Sequence, residues 1–350
     1  MAELHQESKG IKRMNLEDRI GICVQVGKFL LGKPNDLMEV IRKAGQENVW
    51  FDSMYTWSAI ENIATIFLKE ENLRAWTANY SIVEGTSKKV GLVMAGNIPL
   101  VGFHDVLAIF ICGHYSILKL SQKDSLLWPY ILGVFKTIDA RTESYFTIED
   151  RLNGIDAVIA TGSDNASRYF LYYFDKYPHV IRKNRVGIAV ITGQESEKEL
   201  MSLGSDVFQF YGLGCRNVSS LLVPEGYDFI PLLKLWESYG TLRDNHAYNN
   251  NYDYNYAIYL LNQTPFLANG SIILLESTDL VSRLACLNYR YYKTIEDVIT
   301  ILSSSKDKIQ TIVCHQDLSG ISVLNPGQTQ CPALMDYADD VDIVQFLLKL

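Results

Sequence analysis

The feature that most constrains this chain is a series of short, continuous apolar runs that begins near residue 88. The first four are residues 90–94, 117–120, 157–160 and 186–191, and stretches of helical character separate them. Strands that alternate with helices pair in parallel through right-handed crossovers. Continuous apolar runs are typical of strands that are covered on both faces. The pattern therefore predicts a doubly wound α/β sheet.

Two further regions frame this sheet. Residues 15–80 carry apolar side chains three and four positions apart, as at Ile60, Ile63 and Phe67, which predicts a helical lead-in. After about residue 192 a second unit begins, with apolar runs at residues 218–223, 258–261, 271–275 and 309–314. A chain of 350 residues is long enough for two domains, so we expect two lobes with a cleft between them.

Charge and hydropathy exclude several classes of protein. The 32 Lys and Arg residues are scattered among 40 acidic ones, without the basic stripe of a nucleic-acid-binding surface. The longest apolar stretch, residues 106–112, is far shorter than the ~20 residues that span a bilayer. The first residues lack the basic start and apolar block of a signal peptide. We expect a cytoplasmic protein with no membrane span and no nucleic-acid partner.

Three turns after predicted strands are candidate ligand sites. Gly96 permits a tight turn, and Pro99 suits the first turn of a helix, whose free N–H groups attract anions. Lys119 ends a strand where ligands bind in doubly wound sheets, although a solvated terminal charge explains it equally well. Gly162 and Ser163 lead from a strand into a helix, which indicates phosphate binding or plain helix capping.

Cys215 is the candidate nucleophile among six cysteines that form no C-x-x-C pair and are predicted to be free thiols. Gly212 and Gly214 precede it and allow close approach of a ligand. Arg216 and a helix N-terminus beside the thiol would lower its pKa and favour the thiolate. Cys331, before a proline, is the only rival. The remaining cysteines lie in apolar settings and are interpreted as core residues: Cys23, Cys112, Cys286 and Cys314.

Two other features have structural explanations. His104 and His246 are minor acid–base candidates, and no histidine belongs to an H-x-x-x-H or H-x-x-E-H pattern, so we expect no metal site. Residues 248–256 are rich in Tyr and Asn, with tyrosines recurring at every second position from 252 to 256. This spacing predicts an edge strand with one aromatic face, or a polar loop.

In order and rough spacing these segments resemble the aldehyde dehydrogenase superfamily. Residues 91–105 and 212–219 are similar to the LuxC-type acyl-CoA reductases, and the resemblance runs from about residue 55 to the end. It implies an α/β fold with a helical lead-in and an NADP-binding domain over residues 1–190. A second α/β lobe with the catalytic thiol would follow over residues 191–318, and a C-terminal segment, 319–350, would return to the cofactor domain.

The resemblance also implies roles for individual residues. Cys215 would attack the carbonyl of a fatty acyl thioester, and Asn97 would donate to the developing oxyanion together with the Cys215 backbone N–H. The cofactor residues implied by the match are Lys119 on the adenosine ribose, Gly162 and Ser163 at the pyrophosphate, and Asp279 on the nicotinamide ribose.

Two departures from the superfamily pattern refine the expected reaction. Residues 176–194 contain no Asp or Glu, so the general base that hydrolytic aldehyde dehydrogenases use is missing and the acyl-Cys is spared for reduction. NAD-using members usually carry a carboxylate where this chain has Gln122. A neutral amide beside Lys119 and Lys123 tolerates a 2′-phosphate, which predicts NADPH.

We therefore expect an NADPH-dependent reductase of long-chain acyl-CoA, or of an acyl-protein thioester, that forms a homo-oligomer or a complex with an acyl-activating partner. Two alternatives remain at this point: an acyltransferase or thioesterase that uses the same Cys215, and a catalytically silent nucleotide-binding protein.

Overall fold

The computed structural model describes residues 14–318 and 320–350. Its first part confirms the predicted helical lead-in. The elements are α1 (Leu16–Leu31), α2 (Asn35–Glu47), α3 (Ser53–Asn62), a π-helical turn (Ile63–Phe67) and α4 (Glu70–Thr77). Polar side chains start two of these helices: Asn15 and Asp18 form a capping box on α1, and Asp52 accepts the Tyr55 N–H at the start of α3.

A five-stranded parallel sheet follows. Its strands are β1 (Lys89–Val93), β2 (Tyr115–Lys119), β3 (Phe146–Ile148), β4 (Ala157–Thr161) and β5 (His179–Arg182), in the order β3-β2-β1-β4-β5. The crossovers contain α5 (Phe103–Ile111), α6 (Leu127–Ile138) and α7 (Asp164–Phe174). The strand order reverses between β1 and β4, and ligands of such sheets bind outside the carboxyl ends of the strands at this switch point.

The second sheet has six strands in the order β11-β6-β7-β10-β9-β8, parallel except for β8. They are β6 (Val186–Val190), β7 (Val218–Pro224), β8 (Leu267–Ala268), β9 (Ile273–Glu276), β10 (Cys286–Tyr292) and β11 (Ile309–Val313). The helices of this part are α8 (Glu197–Phe208), α9 (Ile230–Leu235), α10 (His246–Leu261), α11 (Ile295–Ser304) and α12 (Ile343–Leu347). The chain thus forms two sheets, one after the other, that consist mainly of parallel strands. This arrangement matches the predicted α/β fold.

The run at residues 186–191 lies in a different sheet from the one the sequence predicts. We expect it to end the first sheet, whereas the structure pairs it, as β6, with β7 and β11 of the second sheet. Gly187 permits this pairing, because a Cβ there would lie 2.8 Å from the carbonyl oxygens of Arg216 and Asn217. The order of strands along the chain does not show which strands pair with each other. Here the chain passes from the first sheet to the second between residues 182 and 186.

The tyrosine-rich segment is helical, so both predictions for residues 248–256 are wrong, and the apolar run at 258–261 is not a strand. These residues belong to α10, which Asn245 caps by accepting the N–H groups of Ala247 and Tyr248. Tyr248, Tyr252 and Asn255 are buried on one face of the helix at spacings of four and three residues. The helical period decides the structure, and the tyrosines two residues apart point to different sides.

The C-terminal residues pack against the first sheet. Leu334 and the α12 residues Ile343, Val344 and Leu347 belong to the apolar core that surrounds this sheet and the lead-in helices. The ring of His114, before β2, lies 3.1 Å from the carbonyl oxygen of Leu347. None of the described helices is long and apolar enough to cross a membrane.

Candidate active site

A cavity of about 1300 Å³ lies between the two sheets. One wall includes residues that follow β1, β2, β4 and β5, at the carboxyl edge of the first sheet. The other includes residues that precede β6, β7, β9, β10 and β11, at the amino edge of the second sheet. Helix α3, the π-helical turn, α10 and the C-terminal segment add further residues to the lining. Because the carboxyl edge includes the β1/β4 switch point, the cavity occupies the position where doubly wound sheets bind ligands.

Cys215 lies in this cavity, in a tight turn just before β7. The Asn217 N–H donates to the Gly214 carbonyl at 3.1 Å, and the Asn217 side chain accepts the Gly214 N–H at 2.9 Å. The Asn217 amide also donates to the carbonyls of Asp206 and Gln209, at 3.0 and 2.9 Å. Asn217 therefore fixes the turn that presents the thiol. Cys215 is followed by a strand, and no helix begins at the described residues beside it. The helix N-terminus that the sequence predicts beside the thiol is therefore not found.

The segment that leads into this turn has an unusual backbone. Phe210, Tyr211 and Gly212 have φ values of 53°, 58° and 74°, in the left-handed region that favours glycine. Such conformations in non-glycine residues cost about 1–3 kcal/mol each and persist where surrounding contacts impose them. Here the Tyr211 hydroxyl donates to Asp52 at 2.7 Å, and both aromatic side chains are buried. Asp52, which caps α3, thus helps to hold the loop that leads to Cys215.

Asn97 meets the same loop from the first sheet. Its side-chain amide donates to the Leu213 carbonyl at 2.6 Å, and both Asn97 and Cys215 line the cavity. Among the described residues, no backbone carbonyl accepts the N–H of Cys215. The Asn97 amide therefore contacts the turn that carries Cys215, and both residues face the same cavity.

The loop that carries Asn97 differs from the sequence prediction. The helix after it begins at Phe103 and not at Pro99, and Gly102 precedes it without a side-chain cap. Leu100 adopts a left-handed conformation, with φ of 53°, and its N–H donates to the buried Asp124 carboxylate at 2.8 Å. That contact holds a series of turns where the local sequence favours a helix.

Burial raises the pKa of the Cys215 thiol, while the positive charges of Arg216 and Arg182 lower it and the negative charge of Asp339 raises it. The net direction is opposite to the lowered pKa that the sequence predicts, because desolvation of the thiolate outweighs the two cations. Arg216 is held by a hydrogen bond from its Nε to the Thr329 carbonyl, at 2.8 Å, and its guanidinium lies 3.9 Å from Asp336.

The remaining candidates fit structural roles. Cys331 is exposed and does not line the cavity. The core interpretation is confirmed for the four buried cysteines, Cys23, Cys112, Cys286 and Cys314. His104 is half-buried, lies among the rings of Phe67, Trp76 and Tyr337 and contacts the Leu334 carbonyl, although it also lines the cavity. His246 is the first residue of α10. No group of three or more potential metal ligands occurs in the described part of the chain.

The cofactor residues implied by the resemblance fall into two sets. Lys123, Gly162 and Ser163 line the cavity. The Gly162 N–H donates to the Arg182 carbonyl at 3.3 Å, and Ser163 caps α7 by accepting the Ala166 N–H at 3.2 Å. Three others are exposed and lie outside the cavity wall: Lys119, Gln122 and Asp279.

Several charged side chains at the cavity are not among the sequence candidates. Arg182, at the end of β5, binds Asp105 through two hydrogen bonds of 2.6 and 2.9 Å in a buried ion pair. Asp339, from the C-terminal segment, lies 3.2 Å from Arg185. The absence of acidic residues at 176–194 therefore does not leave the thiol without a nearby carboxylate. No local pattern marks these residues, because their partners are distant in sequence.

Comparisons with known proteins identify the fold. No family model and no curated protein sequence match the chain. An NAD-dependent aldehyde dehydrogenase from Sinorhizobium meliloti matches 86% of it and 70% of its own length, at 12% identity and a TM-score of 0.66. A Bacillus cereus aldehyde dehydrogenase, solved with NAD+, covers 88% of this chain and 73% of its own, at 13% identity and 0.62.

A third structure is a cysteine-to-alanine variant of aldehyde dehydrogenase C from Pseudomonas syringae, solved with NAD+ and octanal. It covers 87% of this chain and 74% of its own length, at 11% identity and a TM-score of 0.63. At this level of identity the likeness shows the fold. The predicted α/β fold of the aldehyde dehydrogenase type is confirmed.

Proposed function

We propose that this protein reduces an acyl thioester to the aldehyde with NADPH, through an acyl intermediate on Cys215. The observation that carries the proposal is the hydrogen bond from Asn97 to Leu213, which brings an amide donor to the nucleophile turn inside a cavity at the β1/β4 switch point. The aldehyde dehydrogenase fold supports redox chemistry at this position.

The residues of the turn supply the first half of the reaction. Cys215 Sγ forms a bond to the acyl carbon, the bond from that carbon to the carrier sulfur breaks, and the thiol proton leaves with the carrier thiol. The Asn97 amide has a second hydrogen besides the one it gives to Leu213. That hydrogen and the Cys215 N–H stabilise the negative charge on the carbonyl oxygen, and one such donor contributes about 3–4 kcal/mol in other enzymes.

The first sheet provides the place for the cofactor. Lys123, Gly162 and Ser163 would contact the dinucleotide, with Lys119 and Gln122 at the rim. When bound, NADPH supplies the hydride that converts the acyl group to the aldehyde. Two lysines and a neutral amide are exposed in this loop, and its carboxylate, Asp124, is buried against the Leu100 N–H, so we infer a preference for NADPH over NADH. A higher kcat/KM with NADH would contradict this preference.

The far side of the thiol is suited to an apolar acyl group. Beyond Cys215 along the amino edge of the second sheet, the cavity wall is formed by Tyr248, Ile272, Ala285 and Cys286. Burial of a fatty acyl chain against such side chains contributes about 0.8 kcal/mol per methylene. We therefore infer a long-chain acyl group, carried by CoA or by a protein, and octanal in one neighbour is in keeping with this class.

The test measures NADPH oxidation and CoA release together, across acyl-CoA chain lengths. We expect one NADPH consumed per CoA released, loss of both in Cys215→Ala, and retention of both in the matched control Cys331→Ala. CoA release without NADPH oxidation would indicate a thioesterase or acyltransferase, and no reaction at all would indicate a silent nucleotide-binding protein. Light scattering of the purified protein, alone and with an acyl-activating enzyme, tests the predicted oligomer or complex.

A further inference from the structure

Asp206 is a buried carboxylate near the end of α8, in the segment that leads to Cys215. The residue is 1% exposed and lies outside the cavity wall. Its side chain accepts the Gly327 N–H at 2.6 Å and both the N–H and the hydroxyl of Thr329, at 2.9 and 2.8 Å. Hydrogen bonds to an ionised carboxylate are about twice as strong as those between neutral groups. Asp206 thus ties residues 327–329 of the C-terminal segment to α8.

The backbone of Asp206 is bound to the turn that presents the thiol. The Asn217 amide donates to the Asp206 carbonyl at 3.0 Å, and the oxygen of the same side chain accepts the Gly214 N–H at 2.9 Å. These two contacts hold the turn on either side of Cys215. Asn217 is buried, which strengthens its hydrogen bonds because water does not compete for them. The end of α8 and the nucleophile turn are therefore joined directly.

The segment that Asp206 holds also contacts this turn. The Thr329 carbonyl accepts the Arg216 Nε–H at 2.8 Å. Because Asp206 binds both the N–H and the hydroxyl of Thr329, it sets the direction in which that carbonyl points. Arg216 lines the cavity together with Cys215, its neighbour in the chain. A chain of hydrogen bonds therefore runs from Asp206 through Thr329 to the guanidinium of the residue that follows the thiol.

The carboxylate nearest to Arg216 holds it less firmly. Asp336 lies 3.9 Å from the guanidinium, is 42% exposed and also accepts the Ala333 N–H. A long ion pair with an exposed partner contributes little to fixing a side chain. The orientation of Arg216 therefore depends mainly on the Thr329 carbonyl, and through it on Asp206.

We propose that Asp206 is a positioning residue for the nucleophile: it fastens residues 327–329 beside the nucleophile turn, and the fastened segment keeps Arg216 next to Cys215. This role rests on the proposed function of Cys215. Asp206 does not line the cavity, so it acts through Thr329 and Arg216 and not on the substrate. The positive charge of Arg216 favours the thiolate, which is the form of the cysteine that attacks an acyl carbon.

The first measurement is hydrogen exchange of residues 327–329, followed by mass spectrometry, in Asp206→Asn. The amide that replaces the carboxylate has one acceptor oxygen and cannot accept all three hydrogen bonds. We expect this segment to exchange about tenfold faster than in the wild type. The matched control is Asp297→Asn, since that carboxylate also accepts two backbone N–H groups, those of Lys293 and Thr294, but lies outside the cavity. Unchanged exchange in Asp206→Asn overturns the proposal.

The second measurement is the pH dependence of Cys215 alkylation by iodoacetamide. Release of Arg216 in Asp206→Asn should move the profile to higher pH and lower the rate at pH 7 about threefold, as in Arg216→Gln. In the double variant Asp206→Asn adds no further shift, because its effect passes through Arg216. Asp297→Asn leaves the profile in place.

Three results of the alkylation series overturn the proposal: an unmoved profile in Asp206→Asn, a further shift in the double variant, and a shift to lower pH. The last is the direction that loss of a negative charge would give by itself. Thr329→Val, which removes only the hydroxyl bond to Asp206, should give a smaller shift to higher pH. If Asp206→Asn fails to fold, Thr329→Val decides the question, and an unmoved profile in that variant overturns the proposal.

Alkylation requires neither an acyl thioester nor NADPH, so the two proposals can fail separately. If the wild type never oxidises NADPH but Asp206→Asn shifts the alkylation profile through Arg216, the reductase function fails and the positioning role stands. If NADPH is oxidised through Cys215 and the profile of Asp206→Asn does not move, only the positioning role fails.

Discussion

The side-chain amide of Asn97 donates a 2.6 Å hydrogen bond to the carbonyl of Leu213, two residues before Cys215 and 116 residues away from Asn97 in sequence. This bond joins the loop after β1 of the first sheet to the turn before β7 of the second. Because this single amide connects both walls of the cavity, the positions of the Asn97 side chain and of the Cys215 thiol are coupled.

Replacement of Asn97 by Ala is expected to lower kcat about 100- to 1000-fold with a small change in KM, because the donor acts mainly when the carbonyl oxygen becomes negative. Steady-state kinetics with acyl-CoA check this. Asn72→Ala is the control, since that amide also donates to a backbone carbonyl, Ile66 at 2.8 Å, but lies outside the cavity. A change confined to KM would show that Asn97 serves only substrate binding.

Replacement of Arg216 by Gln is expected to move alkylation of Cys215 to higher pH, because the guanidinium lowers the pKa of the thiol. At pH 7 the alkylation rate should fall roughly threefold or more. Mass spectrometry of iodoacetamide-treated protein over a pH series gives the profile. The exposed Arg290→Gln serves as the control. A profile that moves to lower pH would mean that Arg216 acts on the thiol mainly through packing.

Asp124 should make stability depend on pH between about 4 and 7. Burial raises the pKa of its carboxyl to about 7, and one of its oxygens has no hydrogen-bond partner among the described residues. The folded state therefore binds a proton that the unfolded state releases near pH 4, so this contribution to the free energy of unfolding is present below pH 4 and is lost as pH rises to 7. The loss is at most about 4 kcal/mol.

Asp124→Asn removes this term, since an amide accepts the Leu100 N–H without carrying charge. Urea unfolding from pH 4 to 8 should show that the variant gains stability relative to the wild type as pH rises, whereas the exposed Asp150→Asn shows no such trend. A constant difference across the pH series would contradict the assignment of this titration to Asp124.

Loss of the buried ion pair between Asp105 and Arg182 should lower the free energy of unfolding markedly. Asp105→Ala leaves the Arg182 guanidinium uncompensated, and such losses cost about 3–5 kcal/mol. Thermal and urea unfolding measure the effect. The exposed pair of Glu39 and Arg42, at 2.7 Å, supplies the control Glu39→Ala, which should leave the unfolding midpoint almost unchanged. Equal losses of stability in Asp105→Ala and Glu39→Ala would show that burial of the ion pair does not explain the effect.

The sequence by itself determined the fold class and pointed to the residues now proposed for the reaction. Apolar runs separated by helical stretches indicated a parallel sheet after a helical lead-in and a second unit after about residue 192. The glycines before Cys215 indicated a candidate thiol, and the family resemblance indicated Asn97 as its donor. Periodicity gives a wrong prediction where a segment fits both the strand period and the helical period. In α10 the tyrosines two residues apart suggested a strand, whereas Tyr248, Tyr252 and Asn255 form the buried face of a helix.

Tertiary structure decided which sheet the strand at residues 186–190 joins, and which charges surround the thiol. The pairing of β6 depends on Gly187 and on the carbonyls of a turn 30 residues later. The groups that set the pKa of Cys215 come from β5, from the residue after the thiol, and from the C-terminal segment. Desolvation and Coulomb energies depend on distance in space and not on separation along the chain. The sequence around Asp339 therefore does not indicate which residues surround it in the folded protein.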